Sequence, residues 1–498
     1  MSKNKVMLIV MDGWGMKKDY PGNSITQANK PFYDELWAKY PHTQLEVSGE
    51  AVGLPVGQMG TSEVNHFTMG AGKVVFQDLV RVTKAIEDGS FFEKENLLKT
   101  FEHVKKYDSA LHVWGLVSDG GVHSHLRHIL ATVEAAANAG LTKVHVHVVT
   151  DGRDTSPNGG AKFVEELEKD LARIGVGKAV SVVGRYYAMD RDKNWERTNQ
   201  AFGLYTAGEG EKFSSATEAI QASYDGGVTD EFIKPVVVGE PVAVGANDAL
   251  ITVNFRSDRP RQILERFFEQ RPENLLITTM TRYSENYDVE VVFPPNKVDL
   301  YLGKLISEAG LGQLRITETE KFNHMTFFLN CEHDDPDPGE DRFMFDSYSD
   351  IATHDERPEM RAADIADKIV EDIKNNDHSA VFANICNCDM VGHTGNIPAA
   401  IKACEAVDQA LAKIIPVALE HGFTIFITAD HGNSEEMLSE ETGEMITSHS
   451  INPVPLIMVS NDYQELSHED GSLIDLAPTI LTILGLETPE EMVGQSFV

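Results

Sequence analysis

Short apolar and β-branched runs alternate with amphipathic helical stretches along the whole chain. Such runs predict buried strands, and the stretches between them predict helices. Because strands joined through helices run parallel, the alternation predicts an α/β protein whose mainly parallel sheets are covered by helices on both faces. The candidate strands are residues 6–11, 111–117, 144–150, 179–183, 250–254, 380–384, 424–428 and 455–459.

Several of these candidate strands end directly in Asp, Arg or His. In open α/β sheets ligands bind beyond the carboxyl ends of the strands, so we expect the chemistry there. Candidate metal ligands lie early and late in the chain, whereas most of the arginines lie between them. If the early and late residues form one metal site, residues 1–76 and 297–498 share one domain and residues 77–296 are inserted into it. The crossovers would lie near 73–80 and in the proline-containing stretch 291–298.

The composition is that of a globular protein, with 498 residues of which 42% are hydrophobic and 24% are charged. That length exceeds what one hydrophobic core usually supports, so two or three domains are expected, with two favoured. The first apolar run, residues 6–11, is too short to span a membrane and is not followed by a small-residue cleavage site. Four cysteines in so long a chain do not form a disulfide framework, which favours a reducing cytoplasm.

The charge balance narrows the classes of partner. The chain carries 43 basic and 78 acidic residues, a formal net charge of −35, which repels nucleic acid and anionic membranes. We therefore expect neither nucleic acid nor membrane as a partner. A phosphorylated metabolite would be repelled too, so a site for one must concentrate cations locally as arginines or metal ions.

Two motifs late in the chain carry metal-ligand chemistry. Asp389 and His393 in DMVGH are four residues apart, which places both side chains on one face of a helical turn. In TIFITADHGN an apolar strand leads into Asp430 and His431, where both side chains can reach one ion if the backbone turns. This second motif is the stronger predictor, because five apolar or β-prone residues precede it.

Asp12, at the end of the first strand, and His449 complete a mixed carboxylate and imidazole set. Such a set suits manganese or a similar first-row ion better than calcium, and zinc is an alternative. Each residue also has a simpler interpretation. Asp389 and His393 could lie on a solvated helix, Asp12 could cap a turn, and His449 could be a surface histidine.

Ser62 is a candidate nucleophile in GQMGTSEVNH. Gly57 and Gly60 permit a close backbone approach, and Thr61 and Ser62 could begin a helix, where Ser62 could equally be only an N-cap. A free serine hydroxyl is a poor nucleophile, but a nearby divalent ion lowers its pKa enough to attack phosphorus.

Ten motifs occur in one order over essentially the whole chain: MDGWG, GQMGTSEVNH, VHSH, TDGRDTSP, GRYYAMDRD, NFRSDR, ETEKFNHMTFF, DMVGHTG, TADHGN and DLAPTIL. With these motifs the chain resembles the cofactor-independent phosphoglycerate mutases, which need no 2,3-bisphosphoglycerate. The sequence ADHGN alone would indicate only the wider alkaline-phosphatase-like superfamily.

The resemblance implies a phosphatase-like metal-binding domain, residues 1–76 and 297–498, and an inserted substrate-binding transferase domain, residues 77–296. It implies interconversion of 3-phosphoglycerate and 2-phosphoglycerate through a phosphoserine at Ser62. It also implies two Mn²⁺ ions, with Co²⁺, Zn²⁺ or Mg²⁺ as alternatives. One ion would be held by Asp389, His393 and His449, and the other by Asp12, Ser62, Asp430 and His431.

The resemblance assigns substrate contacts to His123, Arg153, Asp154, Arg185, Arg191, Arg256, Arg259 and Lys321. Arginine presents a planar fork of donors to carboxylate and phosphate, although each arginine alone could be a surface ion pair. Lys321 would stabilise charge on the transferring phosphoryl group, or could be a solvated lysine. Asp154 would move a proton while the glycerate is held and reoriented, with the two domains closed over it to exclude water. The partner is thus a small-molecule substrate, and we expect a monomer.

Two alternatives share part of this pattern. A phosphatase or phosphopentomutase of the same superfamily would have the metal ligands but should lack the full DGRD, GRYY and FRSDR set, which is present. A non-catalytic metal-binding protein would have no reason to keep a serine and a lysine beside the metals.

The sequence departs from the family at Cys386 and Cys388, where proline is commoner just before Asp389. These thiols fill space, or they alter metal preference or sensitivity to oxidation.

Overall fold

The computed structural model describes residues 4–375 and 377–498. The chain divides into two compact units, which we call unit 1 (Met1–Phe76 and Lys297–Val498) and unit 2 (Gln77–Asn296). Each unit contains one eight-stranded sheet. The fold is therefore α/β, with two mainly parallel sheets flanked by helices, as the alternation of apolar and amphipathic segments predicts.

Sixteen strands lie within the described residues. They are β1 (Lys5–Met11), β2 (His42–Glu46), β3 (Leu111–Leu116), β4 (Val144–Thr150), β5 (Lys178–Gly184), β6 (Glu211–Phe213), β7 (Val236–Val238), β8 (Ala249–Thr252), β9 (Leu276–Thr281), β10 (Glu290–Phe293), β11 (Gln313–Glu318), β12 (Glu340–Phe345), β13 (Ala380–Ile385), β14 (Phe423–Thr428), β15 (Val454–Val459) and β16 (Gly471–Ser472). All eight candidate strands are confirmed, with small shifts at their ends. The stretch 291–298 begins inside β10 rather than in a loop.

The α-helices of the described residues are α1 (Ser24–Gln27), α2 (Pro31–Lys39), α3 (Ser62–Ala71), α4 (Asp78–Glu87), α5 (Glu95–Tyr107), α6 (Leu126–Asn138), α7 (Gly160–Ile174), α8 (Arg185–Ala188), α9 (Trp195–Ala207), α10 (Ala216–Asp225), α11 (Pro260–Glu269), α12 (Leu302–Glu308), α13 (Ala362–Asn375), α14 (Asn387–Gly392), α15 (Ile397–Glu420) and α16 (Leu476–Leu484). Across residues 4–375 and 377–498, no helix has both the length and the apolar character needed to cross a bilayer.

The sheet of unit 1 has the strand order β12-β11-β13-β1-β14-β15-β2-β16. Its first five strands are parallel, and β15 is antiparallel to β14. Strand β1 lies between two neighbours and is apolar on both faces, so residues Val6 to Met11 are all buried. Met11 pairs with Ile385 and Val10 pairs with Thr428, so β1, β13 and β14 end together at one edge of the sheet.

The sheet of unit 2 has the order β10-β9-β8-β3-β4-β5-β7-β6, and only β7 with β5 forms an antiparallel pair among its described strands. Thr150 at the end of β4 pairs with Gly184 at the end of β5. The segments after these two strands, which carry the DGRD and GRYY motifs, therefore start side by side.

His378, just before β13, is held between two carboxylates of unit 1. Its Nδ1 donates to Asp372 Oδ2 on α13 at 2.8 Å, and its Nε2 donates to Asp341 Oδ2 on β12 at 3.1 Å. The hydrogen bond with Asp372 is the main cause that raises the pKa of His378 above its ordinary value. A raised pKa in the folded state means that protonation of this histidine stabilises the fold.

We predict that His378→Asn lowers the midpoint of thermal unfolding more at about pH 6 than at about pH 9. The stabilisation is complete below the pKa of an unfolded histidine and is lost as the pH rises through the raised folded pKa. Calorimetry at both pH values measures this difference. The companion variant Asp341→Asn should weaken the pH dependence, and an equal loss at both pH values in His378→Asn would contradict the prediction.

Candidate active site

The candidate metal ligands of unit 1 lie where β1, β13 and β14 end. Asp12 directly follows β1, and Asp430 and His431 follow β14. After β13 the chain enters α14, whose Asp389 backbone N–H donates to the carbonyl of Asp12 at 3.0 Å. Gly13 makes this close approach possible, since a Cβ there would lie 2.6 Å from the Cα of Asp389 and its φ is +78°.

One group of candidate ligands consists of Asp389, His393 and His449, the set that the resemblance implies. Oδ1 of Asp389 lies 3.1 Å from Nε2 of His393 and 3.3 Å from Nε2 of His449. The Nδ1 atoms donate to backbone carbonyls, His393 to Thr447 at 2.6 Å and His449 to Gly60 at 2.9 Å. Because a carbonyl can only accept, each Nδ1 carries the proton, and in the neutral ring Nε2 offers its lone pair to a cation.

The second group consists of Asp12, Asp430 and His431, all fully buried. His431 Nε2 lies 3.3 Å from Asp430 Oδ2 and 3.7 Å from Asp12 Oδ1. Its ring stacks on that of His449 with centroids 3.6 Å apart, so the two groups are neighbours. Asp430 Oδ2 has no hydrogen-bond donor among the described residues.

Ser62 and Lys321 lie between the two groups. Lys321 Nζ donates to Ser62 Oγ at 2.7 Å, to Asp12 Oδ1 at 2.8 Å and to Asp389 Oδ2 at 2.7 Å. Ser62 Oγ is also 2.8 Å from His431 Nε2. Burial alone would lower the pKa of Lys321, but the charges of Asp12 and Asp389 raise it well above its ordinary value.

Ser62 is the first residue of α3, and the side chain of Thr61 caps that helix by accepting from the backbone N–H of Val64 at 3.4 Å. Thr61, rather than Ser62, is therefore the N-cap. This leaves the Ser62 hydroxyl free for other contacts at the positive end of the helix dipole, where negative charge is favoured.

The donor set fits divalent cations. Asp12, Asp389 and Asp430 are buried carboxylates, and Lys321 is the one lysine that contacts them among the described residues. Burying three carboxylates with one ammonium group leaves uncompensated negative charge, which is costly in a low-dielectric interior. The two candidate groups offer oxygen and imidazole ligands whose atoms, within each group, lie within 4.8 Å of one another. A divalent cation bound by each group could supply the missing positive charge.

The predicted substrate residues of unit 2 also lie close together. Arg185, buried directly after β5, donates from Nη1 to Asp151 Oδ1 at 2.6 Å and to Asp154 Oδ2 at 2.5 Å. A pocket of about 180 Å³ opens here. Its walls include four of the predicted arginines, Arg153, Arg185, Arg191 and Arg259.

His123 and Arg256 join this cluster through acidic residues. His123 lies 3.9 Å from Asp154 Oδ2 and 3.8 Å from Asp258 Oδ1. Asp258 also pairs with Arg191 at 2.7 Å and with Arg256 at 3.0 Å. Burial lowers the pKa of His123 to about 4, so its imidazole is neutral near pH 7. Of the eight predicted substrate contacts, seven lie in unit 2, and Lys321 lies in unit 1 beside Ser62.

Sequence reasoning missed several partners of these residues. Asp151 and Asp258 hold the arginines of unit 2, and both were visible as acidic positions inside DGRD and NFRSDR. In unit 1, Asn384 donates to Asp12 Oδ2 at 2.7 Å, and His66 Nδ1 donates to the carbonyl of Ser62 at 2.8 Å. The spacing of four residues between Ser62 and His66 on α3 was a usable signal, whereas nothing local indicated Asn384.

All four cysteines are free and buried. Cys388 Sγ is 3.5 Å from Cys404 Sγ, and Cys386 donates to Glu318 at 3.3 Å. Burial raises the pKa of Cys386 and of Cys388, which keeps both thiols protonated. They therefore pack as small side chains close to the candidate ligand Asp389.

The fold and the site define a class of protein: an α/β enzyme with a buried serine and a lysine between two groups of candidate cation ligands. Comparisons with known proteins specify the family. Residues 82–285 match the family model described as BPG-independent PGAM N-terminus. A 2,3-bisphosphoglycerate-independent phosphoglycerate mutase of Clostridium perfringens is 45% identical over 99% of both chains. One from Listeria innocua is 44% identical over 100% of both.

Among solved structures, a phosphoglycerate mutase of Leishmania mexicana, crystallised at low cobalt concentration, has a TM-score of 0.55 and 29% identity over 99% of this chain and 97% of that one. The chain belongs to the family of 2,3-bisphosphoglycerate-independent phosphoglycerate mutases and is an enzyme of that family. The resemblance predicted from the ten motifs is thereby confirmed.

We predict that Gly13→Ala destabilises the protein by about 2–5 kcal/mol, since alanine at positive φ costs about 1–2 kcal/mol and the contact with Asp389 adds about 1–3 kcal/mol. Gly57→Ala is the matched control, because Gly57 has the same φ of +78° but no atom within 4 Å of the place that a Cβ would take. It should cost only about 1–2 kcal/mol. Urea unfolding measures both, and equal losses would show that the contact with Asp389 is unimportant.

Proposed function

We propose that this enzyme interconverts 3-phosphoglycerate and 2-phosphoglycerate through a phosphoserine at Ser62, without 2,3-bisphosphoglycerate. The observation that carries the proposal is the position of the Ser62 hydroxyl, 2.7 Å from Lys321 Nζ and 2.8 Å from His431 Nε2, between two groups of cation ligands. The proposed substrates are inferred from the names of the relatives. These relatives are phosphoglycerate mutases, and this chain matches them over essentially their whole length.

Two divalent cations are part of the proposal. Asp389, His393 and His449 would hold one, and Asp12, Ser62, Asp430 and His431 would hold the other. When bound, these cations would lower the pKa of the serine hydroxyl and offset the charge of the phosphoryl oxygens. Mn²⁺ is the proposed ion, with Co²⁺, Zn²⁺ and Mg²⁺ as alternatives, and the cobalt in the description of the Leishmania structure supports a first-row ion.

In the first half-reaction Ser62 Oγ attacks the substrate phosphorus, and the bond from phosphorus to the glycerate oxygen breaks. Lys321 is positioned to stabilise the charge that develops on the phosphoryl oxygens, because its ammonium group lies 2.7 Å from the attacking oxygen. In the second half-reaction the other glycerate hydroxyl attacks phosphoserine and regenerates Ser62. Asp154 exchanges a proton with the glycerate hydroxyls during these steps.

The arginines of unit 2 would hold glycerate between the two half-reactions. Arg153, Arg185, Arg191 and Arg259 concentrate positive charge around one pocket in an otherwise acidic protein. Acidic partners fix three of these forks, which reduces the entropy lost when a carboxylate or phosphate binds. The partners are Asp151 and Asp154 for Arg185, Asp258 for Arg191 and Glu231 for Arg153. The neutral imidazole of His123 can exchange hydrogen bonds with a glycerate hydroxyl.

Unit 1 would accordingly be the phosphatase-like metal-binding domain, and unit 2 the substrate-binding transferase domain. We further propose that the enzyme acts as a monomer on a small-molecule substrate. Four reduced, buried cysteines support a cytoplasmic location, where thiols stay reduced.

The function is tested by loading metal-stripped protein with Mn²⁺ and adding 3-phosphoglycerate in the absence of 2,3-bisphosphoglycerate. Phosphorus NMR follows 2-phosphoglycerate and free phosphate. The proposal requires 2-phosphoglycerate without phosphate, because glycerate must be retained until it is phosphorylated again. Release of phosphate alone would mean a phosphatase.

We predict that Ser62→Ala lowers turnover by at least about 10⁴-fold, because the route through phosphoserine is lost. The fold should persist, which circular dichroism and thermal unfolding check. Thr68→Val is the matched control, since it removes another hydroxyl of the same helix that bonds only to the carbonyl of Val64. It should stay active, and appreciable turnover in Ser62→Ala would rule out this nucleophile.

We predict that Asp154→Asn slows the phosphorylation of glycerate by phosphoserine more than it slows the formation of phosphoserine. The amide cannot take up a proton, although it can still accept from Arg185. Rapid-quench experiments with labelled substrate separate the two half-reactions. Asp119→Asn, the same change on an exposed residue of the neighbouring loop, serves as control, and equal effects of Asp154→Asn on both half-reactions would exclude the proton role.

A further inference from the structure

Glu435 is a fully buried glutamate whose carboxylate oxygens receive four hydrogen bonds. Oε2 accepts from the backbone N–H of Gly15 at 3.1 Å and from that of Asn433 at 2.8 Å. Oε1 accepts from the Ser450 hydroxyl and from Asn452 Nδ2, the latter at 2.9 Å. A buried carboxylate that accepts from four donors holds all four of them in fixed positions.

Three of these donors follow candidate cation ligands closely in the sequence. They are Gly15, which follows Asp12, Asn433, which follows His431, and Ser450, which follows His449. These ligands belong to both candidate cation groups. One carboxylate therefore ties together three loops that carry ligands of both cations.

Two glycines show how closely these loops pack on Glu435. A Cβ on Gly15 would lie 2.2 Å from the Glu435 carboxyl carbon, and one on Gly432 would lie 2.3 Å from its Oε1. Neither glycine has a positive φ, so backbone conformation does not require glycine at either position. The space taken by the Glu435 carboxylate accounts for the last glycine of MDGWG and for the glycine of ADHGN.

The loop that carries His449 is joined to the same point by its backbone. The N–H of Ser450 donates to the carbonyl of Gly432 at 3.0 Å, and Gly432 immediately follows His431. The N–H groups of Asn433 and Ser434 both donate to the carbonyl of Gly13 at 3.1 Å. The Glu435 carboxylate is the side-chain acceptor shared by these three segments.

We propose that Glu435 is a positioning residue of the cation site. It touches neither substrate nor cation, and it sets cation affinity by fixing the three loops that carry Asp12, His431 and His449. The inference rests on the proposed function in so far as that function requires cations in the two ligand groups. Beyond that function, it assigns a role to Glu435, which acts on the cations only through their ligands. Gly15 and Gly432 leave the space in which the Glu435 carboxylate packs.

Glu435→Gln is the sharpest variant because it keeps the shape of the side chain. Its amide nitrogen is a donor and would face two of the four donors, so two hydrogen bonds become repulsive contacts. Substitution of residues that support metal ligands in this way typically lowers metal affinity by about 10–100-fold. We expect a loss of Mn²⁺ affinity in that range.

The experiment titrates the metal-stripped full-length protein with Mn²⁺ and measures free Mn²⁺ by electron paramagnetic resonance. Glu444→Gln is the matched control, the same change on an exposed side chain of the same segment, and its affinity should equal that of the wild type. Ser450→Ala removes one donor and leaves three, so it should weaken Mn²⁺ binding less than Glu435→Gln. This milder variant decides the question if Glu435→Gln does not fold.

Thermal unfolding of the metal-free variants separates positioning from a merely structural role. A lower unfolding temperature with unchanged Mn²⁺ affinity in Glu435→Gln and Ser450→Ala would overturn the inference. A wild-type protein that binds no Mn²⁺ would overturn the proposed cation site itself, an outcome visible before any variant is compared. Weaker Mn²⁺ binding in both variants, with the control unchanged, is the expected result.

Discussion

Three carboxylates buried around one lysine are the constraint on which unit 1 depends. Asp12 and Asp430 follow β1 and β14, Asp389 lies in the first turn of α14, which follows β13, and Lys321 contacts both Asp12 and Asp389. Bringing like charges together out of water is unfavourable, so positive charge must be supplied at this point. The same arrangement places the Ser62 hydroxyl beside the lysine, where a developing negative charge would be stabilised.

The backbone holds these charges close through a small number of tight contacts. The register of β1 with β13 and β14 ends the three strands together, and Gly13 lets the first loop lie against Asp389. The Glu435 carboxylate then accepts hydrogen bonds from the three segments that follow Asp12, His431 and His449. Because the candidate ligands of each group come from more than one segment of the chain, a small displacement of one segment would change the geometry of the cation group to which it contributes.

Unit 1 gathers negative charge at its candidate cation site, whereas unit 2 must gather positive charge to bind an anionic substrate. A chain with a net charge of −35 repels an anionic substrate, yet five arginines line one pocket of this unit. Their acidic partners hold some of the guanidinium groups in place while leaving donors for a ligand. Arg185, with two carboxylates on one nitrogen, shows this arrangement most clearly.

Much of the fold and site could be predicted because the information is local. Apolar runs located the central strands, and residues directly after strand ends, such as Asp12, Asp430 and Arg185, were found as candidate site residues. Glu435 and Asn384 were not found, because their importance lies in contacts with residues distant in sequence. Glu435 contacts Gly15 across 420 positions, and no local pattern distinguishes it from the neighbouring Glu436.

Anomalous diffraction from crystals of the protein loaded with Mn²⁺ would test the two-cation site most directly. We expect two peaks in unit 1, one coordinated by Asp389, His393 and His449, and one by Asp12, Asp430 and His431, with Ser62 Oγ in contact with the second. A fully loaded crystal with a single peak, or with peaks away from these residues, would contradict the two-cation site.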